Sequence, residues 1–326
     1  MNLLIIGAGR MGMRHLVGAF KACSQITIVD PKINILQKEV KKLSTNNKYH
    51  GSIIHYPSID NIPINSNFDA GIISSTANGR KDIFFKLLER KVYNILLEKP
   101  IEQSRKKVKE IVDASLDKNL NIRSNHPFRE LPLFQKFYDS SAPFHMAVVG
   151  GAFGLACNGI HWIDLAVYLS HSKDENTKLL FSRIDKTPIK SGRGEKFVDY
   201  GGTIVLEFAR GSILLMDSWA DSSAPLTFTL NHNHSSFLLD RKENLGIIYE
   251  RNKTSTLENY LYGFDYERNV INPVEAISFS ENTTNWLYSL KGEKKCFLPK
   301  IEESVISHER LFDALETTGK NDFFIT

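Results

Sequence analysis

Cysteine is scarce in this 326-residue chain: Cys23, Cys157 and Cys296 are all it has. Three scattered thiols make neither a disulfide framework nor a metal-spaced cluster, and such sparing use suits a reducing compartment. No apolar run approaches the about 18 residues needed to cross a bilayer, which argues against a spanning helix. Charge of one sign is also lacking. The net charge is only +4, and the densest basic run, Arg105-Lys106-Lys107-Val108-Lys109, is followed by Glu110 and Asp113. That pattern reads as a solvated helix face rather than a nucleic-acid patch. No internal repeat or low-complexity segment stands out. The first strand begins at Asn2, so no leader is expected ahead of it. A cytoplasmic protein with neither nucleic-acid nor membrane partners is the expectation, of a length suited to about two domains.

What is present is concentrated at the start. Asn2 to Ile6 is an uncharged apolar run, Gly7-Ala8-Gly9-Arg10-Met11-Gly12 follows directly, and Met13 to Cys23 is amphipathic. Ile26 to Val29 is a second apolar run that closes on Asp30. Strand, glycine turn, helix, strand and acid in that order form the fingerprint of a dinucleotide-binding βαβ unit. Gly7 allows the tight turn, Gly9 lets the backbone approach a pyrophosphate, and Gly12 lets helix and sheet pack closely. Arg10 and Met11 complete the turn at the helix N-terminus, where N–H groups face phosphate. A glycine turn without a ligand is the plainer alternative. Asp30 suits both ribose hydroxyls of NAD and repels a 2′-phosphate. Lys32 could still contact such a phosphate, so NAD is favoured over NADP.

Strands and helices alternate to about Ser124. Phe68 to Ser74 reads as a buried strand with Ser75, Thr76 and Asn78 at its carboxyl end, where open parallel sheets bind ligands. These side chains suit a dinucleotide or the capping of a helix over Arg80 to Arg90. Val92 to Leu97 is a further strand ending in Glu98-Lys99-Pro100. An amine there can exchange charge with a reacting oxygen, or simply join a surface ion pair. The alternation predicts an α/β fold: a doubly wound parallel Rossmann sheet over residues 1–124. Residues 125–326 then form an α+β domain with an open, mostly antiparallel sheet and a last helix near 302–317. Thr203–Phe208 and Ser212–Ser218 form its clearest hairpin.

In that second domain Gly159-Ile160-His161-Trp162-Ile163-Asp164 opens a helix with His161 in its first turn. Imidazole accepts protons near neutral pH, although a histidine so placed can equally be structural. His161 and Asp164 share a face as a metal half-site would, but nothing completes one, so no metal is expected.

These motifs, in this order along the whole chain, resemble the Gfo/Idh/MocA family of oxidoreductases (glucose–fructose oxidoreductase and inositol dehydrogenase relatives). The Glu98-Lys99-Pro100 tripeptide with the downstream Gly159…Asp164 motif carries most of the likeness. The resemblance implies tightly held NAD or NADP and a C-terminal sheet that commonly builds homodimers or homotetramers. It implies oxidation or reduction at a secondary alcohol of sugars, inositols and related molecules. Lys99 would stand beside the nicotinamide and the reacting oxygen, His161 would be the general base, and Glu98 would contact the cofactor.

Departures accompany the likeness. Cys157 stands where many members have Asp, Ala77 where a proline is common, and Lys81 where a histidine is frequent. Asn158 is the neighbouring polar residue able to take over from the missing Asp. Cys157-Asn158-Gly159-Ile160-His161 looks like variants among members serving nucleotide-sugar and surface-polysaccharide or lipid A pathways. Those enzymes oxidise a hydroxyl such as the 3-hydroxyl of UDP-N-acetylglucosamine. Arg129 and the loop Lys190 to Lys196 are candidate contacts for its diphosphate, the loop being a solvated turn otherwise. A free-sugar or inositol dehydrogenase, or a non-catalytic NAD-binding regulator, are the alternative readings.

Overall fold

A computed structural model of the chain describes residues 1–117, 120–138, 142–191, 194–240, 245–258, 261, 264–271 and 278–326. The chain forms two compact units. One comprises Met1–Leu131, Ile277–His308 and Asn321–Thr326, and the other Pro132–Ala276 and Glu309–Lys320.

The first unit is built on six parallel strands: β1 Asn2–Ile6, β2 Gln25–Val29, β3 Ser52–Tyr56, β4 Ala70–Ile73, β5 Asn94–Leu97 and β6 Asn121–Ser124. Their order is β3-β2-β1-β4-β5-β6, with Leu3 paired to Ile26 on one side and to Ala70 on the other. Four helices connect them: α1 Arg10–Ala19, α2 Ile33–Asn46, α3 Arg80–Glu89 and α4 Arg105–Asp117. Every residue of β4 is buried, which is why its sequence is a continuous apolar run instead of an alternating one. Lys48 to Ser58 shows no such run, yet β3 lies there. It pairs only with β2 at the sheet edge, where half-exposed side chains suffice. The chain order reverses between β1 and β4, so the carboxyl ends of these strands open the crevice in which doubly wound sheets bind ligands.

The second unit holds α5 Pro132–Tyr138, β7 Phe144–Gly151, α6 Gly159–Ser170, β8 Lys178–Ile184, β9 Ile189–Lys190 and β10 Val198–Asp199. It continues with β11 Gly202–Phe208, β12 Ser212–Trp219, β13 Thr227–His232, β14 Ser235–Asp240, β15 Leu245–Arg251 and β16 Tyr266–Ile271. Eight of these strands form one sheet in the order β16-β15-β14-β13-β7-β12-β11-β8. All its pairings are antiparallel except β7 with β12. The β11–β12 hairpin lies where the sequence puts it, with Arg210 at φ 65° in its turn. α6 is buried along its whole length, and Trp162 stacks on Phe228 of the sheet at 4.8 Å. The opposite face carries a row of cross-strand neighbours: Phe181, Val205, Leu215, Ala147, Thr229, Leu238, Ile247 and Val270. All but Thr229 are apolar, and the row crosses all eight strands.

Two later helices complete the fold, α7 Phe279–Leu290 and α8 Ile301–Glu316. α7 returns to the first unit and lies against α1. Gly18 permits that approach, since a Cβ there would stand 2.2 Å from the Ser280 carbonyl oxygen. Thr284 Oγ1 donates to the Gly18 carbonyl at 2.7 Å, and Trp286 is fully buried in a core with Leu16 and Ala19. Among the described residues no helix is long and apolar enough to cross a membrane. Trp286→Ala should therefore lower the stability of the nucleotide-binding unit by about 3–5 kcal/mol, the usual cost of emptying a buried tryptophan site. Denaturant unfolding measures it, and a loss under about 1 kcal/mol would show that α7 is dispensable there.

Candidate active site

The glycine turn follows from backbone sterics. Gly7 leaves β1 at φ +94°, and a Cβ there would stand 2.6 Å from the Ser75 backbone nitrogen. At Gly12 a Cβ would stand 1.9 Å from the Gly7 carbonyl oxygen, so only glycine lets α1 lie this close to the turn. Gly9 differs: a Cβ would meet nothing within 4 Å. The turn is thus packed on two sides and open on the third, which fits a pyrophosphate approaching the N-terminus of α1. Arg10 is exposed and Met11 half-buried at that terminus. Asp30 Oδ2 accepts from Ala8 N at 2.8 Å and its Oδ1 from Lys32 N at 2.8 Å. The carboxylate is held by two amides and keeps further lone pairs for ribose hydroxyls. Ser74 Oγ donates to the Gly7 carbonyl at 2.7 Å, tying the end of β4 to the same turn.

Ser75, Thr76 and Asn78 follow β4 as anticipated, with Thr76 and Asn78 exposed. None of them caps α3. Gly79 is the N-cap residue, at φ +82°, and the helix has no side-chain cap bond, so the capping use is not made. The loop is instead held by Arg80, which is fully buried. Its guanidinium donates to the carbonyls of Ser75, Glu98 and Pro100, joining the carboxyl ends of β4 and β5.

At the end of β5 Glu98 is 1% and Lys99 6% exposed, and the Lys99–Pro100 peptide is cis. Glu98 Oε1 accepts from Asn125 Nδ2 at 2.6 Å and lies 2.9 Å from His15 Nε2. Burial pushes this carboxyl up, but the hydrogen bond and charge of His15, the Lys99 charge and Asn125 outweigh it and bring it down to about 2. The His15 ring continues to Thr283 Oγ1 on α7 at 2.7 Å. His126, next to Asn125, is held well below its ordinary range by burial and then by the charges of Arg129 and Lys99. His308 accepts from Ile101 N at 2.9 Å, so the residue following Pro100 is pinned as well. Arg129 is 2% exposed and ion-paired with Glu303. That pairing does not favour the diphosphate contact anticipated for it.

In the second unit, Asn158 is the N-cap residue of α6 without a side-chain cap bond, and its Nδ2 donates to the Phe153 carbonyl. His161 lies in the first turn of α6, 7% exposed, and Asp164 is fully buried. The turn before the helix is gripped by Asp199 of β10. Its oxygens accept from Ala156 N at 2.9 Å, Cys157 N at 3.1 Å and Tyr200 N at 2.8 Å. Burial pushes the Asp199 carboxyl up, against bonds from the Cys157 thiol and these amides. A carboxylate does therefore meet Cys157, though from a distant strand. Of the loop Lys190 to Lys196, Gly192 and Arg193 lie outside the described residues. No group of three or more His, Cys, Asp and Glu able to hold a metal occurs among the described residues.

The anticipated residues thus fall into two sets. Gly7, Gly9, Arg10, Met11, Gly12, Asp30, Ser75, Thr76, Asn78, Glu98, Lys99 and Arg129 belong to the first unit, and Asn158 and His161 to the second. Sequence reasoning missed His15, Arg80, Thr283, His308 and Asp199. His15 did leave a signal, a histidine on the buried face of an amphipathic helix. The others left none, most of their partners being distant in the chain.

Residues 1–126 match the sequence model of the oxidoreductase family with NAD-binding Rossmann fold, Gfo/Idh/MocA. No curated relative matches by sequence alone. The fold is similar to the UDP-N-acetylglucosamine 3-dehydrogenase GnnA from Acidithiobacillus ferrooxidans, at 13% identity and TM-score 0.71, covering 98% of each chain. It is also similar to an oxidoreductase from Agrobacterium radiobacter solved with NAD+, L-tartaric acid and magnesium, at 13% identity and TM-score 0.70, covering 98% and 96% of the two chains. A third likeness, to a mutant 3-ketoreductase from Actinomadura kijaniata solved with TDP-benzene and NADP, has 13% identity and TM-score 0.66, covering 98% and 97%.

The two glycines should separate folding from binding. Gly9→Ala should leave the melting temperature unchanged yet weaken NAD binding about tenfold or more, equivalent to about 1.4 kcal/mol. Gly12→Ala should lower both. Calorimetric NAD titration beside thermal melts measures this, and undiminished binding by Gly9→Ala would remove the turn from the dinucleotide site.

Proposed function

Because residues 1–126 match the model of the Gfo/Idh/MocA family of NAD-binding oxidoreductases, we propose that the chain oxidises a secondary hydroxyl of a sugar. The observation that carries this is one chain combining three features. They are the glycine turn with Asp30, Lys99 directly after a buried carboxylate at the end of a sheet strand, and His161 in the first turn of α6.

The residues divide the work. Gly7, Gly9, Gly12, Arg10 and Met11 hold the pyrophosphate, and Asp30 takes the adenosine ribose. Ser75, Thr76 and Asn78 offer hydroxyl and amide groups to the rest of the dinucleotide, and Glu98 supports its neighbour Lys99. When bound, NAD supplies the acceptor for the hydride that leaves the carbinol carbon. Lys99 Nζ donates a hydrogen bond to the substrate oxygen and stabilises charge developing there. The His161 ring takes the hydroxyl proton as the carbonyl forms. Asn158 orients a further substrate hydroxyl.

For the substrate we favour a nucleotide-linked amino sugar, UDP-N-acetylglucosamine oxidised at its 3-hydroxyl, as used in building surface polysaccharide or lipid A. Support comes from the Cys157-Asn158-Gly159-Ile160-His161 sequence and from the fold likeness to an enzyme of that name. Arg129 is left out of this substrate set because Glu303 already holds it.

We further infer a homodimer or homotetramer joined through the eight-stranded sheet. Its outer face presents Phe181 at 51%, Leu238 at 38% and Val270 at 47% exposure within one apolar row, and such a stripe normally marks an interface. Leu238→Glu should leave the fold intact and convert the oligomer to monomer in analytical ultracentrifugation. A wild-type monomer at micromolar concentration would end this reading.

Lys99→Ala and His161→Ala should each lower turnover of UDP-N-acetylglucosamine by about 10²-fold or more with NAD binding largely retained. Cofactor absorbance with a panel of UDP-sugars, free sugars and cyclitols measures it. Full activity in either variant removes that residue from the mechanism, and good NAD binding without turnover of any substrate rejects the dehydrogenase.

A further inference from the structure

Lys99 can stabilise a developing alkoxide only while it carries its proton, and several groups act on that proton. Arg80 donates to the carbonyls of Glu98 and Pro100. Arg129 acts with Lys99 on buried His126. Both arginines oppose a further positive charge, as does any charge on His15. Of the buried carboxylates close by, Glu102 accepts from the backbone nitrogens of Lys81 and Gln103, and Glu98 adjoins Lys99 in the chain. His308 is taken up by Ile101 N and the Ser304 carbonyl.

Glu98 is the buried carboxylate directly next to Lys99 in the chain. A buried carboxylate is ionised only if donors replace the water it has lost. Those donors are Asn125 Nδ2 at 2.6 Å and His15 Nε2 at 2.9 Å. A carboxylate only accepts, so His15 Nε2 is the donor, and Thr283 Oγ1, 2.7 Å from Nδ1, fixes the ring plane. Interaction between charges is reciprocal: what Lys99 does to favour ionised Glu98, Glu98 does to favour protonated Lys99.

We propose that His15 is a positioning residue for proton handling at this site. Anchored on Thr283 and donating to Glu98, it maintains a buried carboxylate beside Lys99 that keeps the Lys99 side chain an ammonium ion. Its relevance to catalysis rests on the role given to Lys99 above. The arrangement also links α1, the helix that meets the dinucleotide phosphates, with the lysine that meets the substrate oxygen.

The test titrates Lys99 directly in the full-length protein without substrate. Lysine isotopically enriched at Cε reports its protonation by NMR, and Lys99→Arg assigns the signal. Glu98→Gln should lower the Lys99 midpoint by about one pH unit or more, the usual size of an opposite-charge effect at close range. His15→Ala should lower it in the same direction, Thr283→Val by less, and His15→Gln, whose amide still donates, should restore most of it. A folded Glu98→Gln protein with the parent's midpoint overturns the proposal. So does a shift in Glu98→Gln with none in Thr283→Val and His15→Ala. If His15→Ala does not fold, Thr283→Val, which removes only the hydroxyl, decides alone. Because this readout needs no turnover, an active Lys99→Ala enzyme would overturn the catalytic role of Lys99 separately.

Discussion

A buried carboxylate is costly, and at the end of β5 the first unit meets that cost with groups from three elements. Glu98 lies out of water, so its charge survives only where hydrogen-bond donors replace solvent. Asn125 comes from the segment after β6, His15 from α1, and His15 is itself held by Thr283 on α7. One satisfied charge therefore specifies how α1, α7 and the β5 and β6 ends meet. Removal of any partner would leave a buried polar group short of a bond, so the arrangement is mutually dependent.

Around it the carboxyl edge of the parallel sheet is tied together by hydrogen bonds from both short and long side chains. Ser74 binds the glycine turn, Ala8 binds Asp30, and Arg80 bridges the segments after β4 and β5. Ligand-facing backbone gains rigidity this way without covering the open side at Gly9. In the second unit, Asp199 performs a comparable task for the turn before α6 by gathering backbone amides at Ala156 and Cys157. A carboxylate supplied from β10 thus stands beside Cys157.

Much of the fold is legible in local pattern. Continuous apolar runs marked β1, β4 and β5 because both faces of a central parallel strand are buried, and the Ala209–Gly211 turn marked the β11–β12 hairpin. β3 left little trace, since an edge strand requires only half a face. α7 drew no reading from the sequence. Its burial comes from Gly18 and Leu16, more than 250 residues earlier in the chain. Arg129 illustrates the converse: as a sequence feature it suited an anionic ligand, but folding brings Glu303 to it.

The sequence by itself determined the dinucleotide turn, its acid and the Glu98-Lys99-Pro100 ending. Their physics is local: a glycine without Cβ, a helix N-terminus, a strand end. Only the tertiary structure decided what holds Glu98 and the backbone on either side of Lys99. His15, Arg80, Asn125, Thr283 and His308 gain meaning from partners remote in sequence, and a hydrogen bond or a buried charge depends on distance in space, which chain spacing does not record.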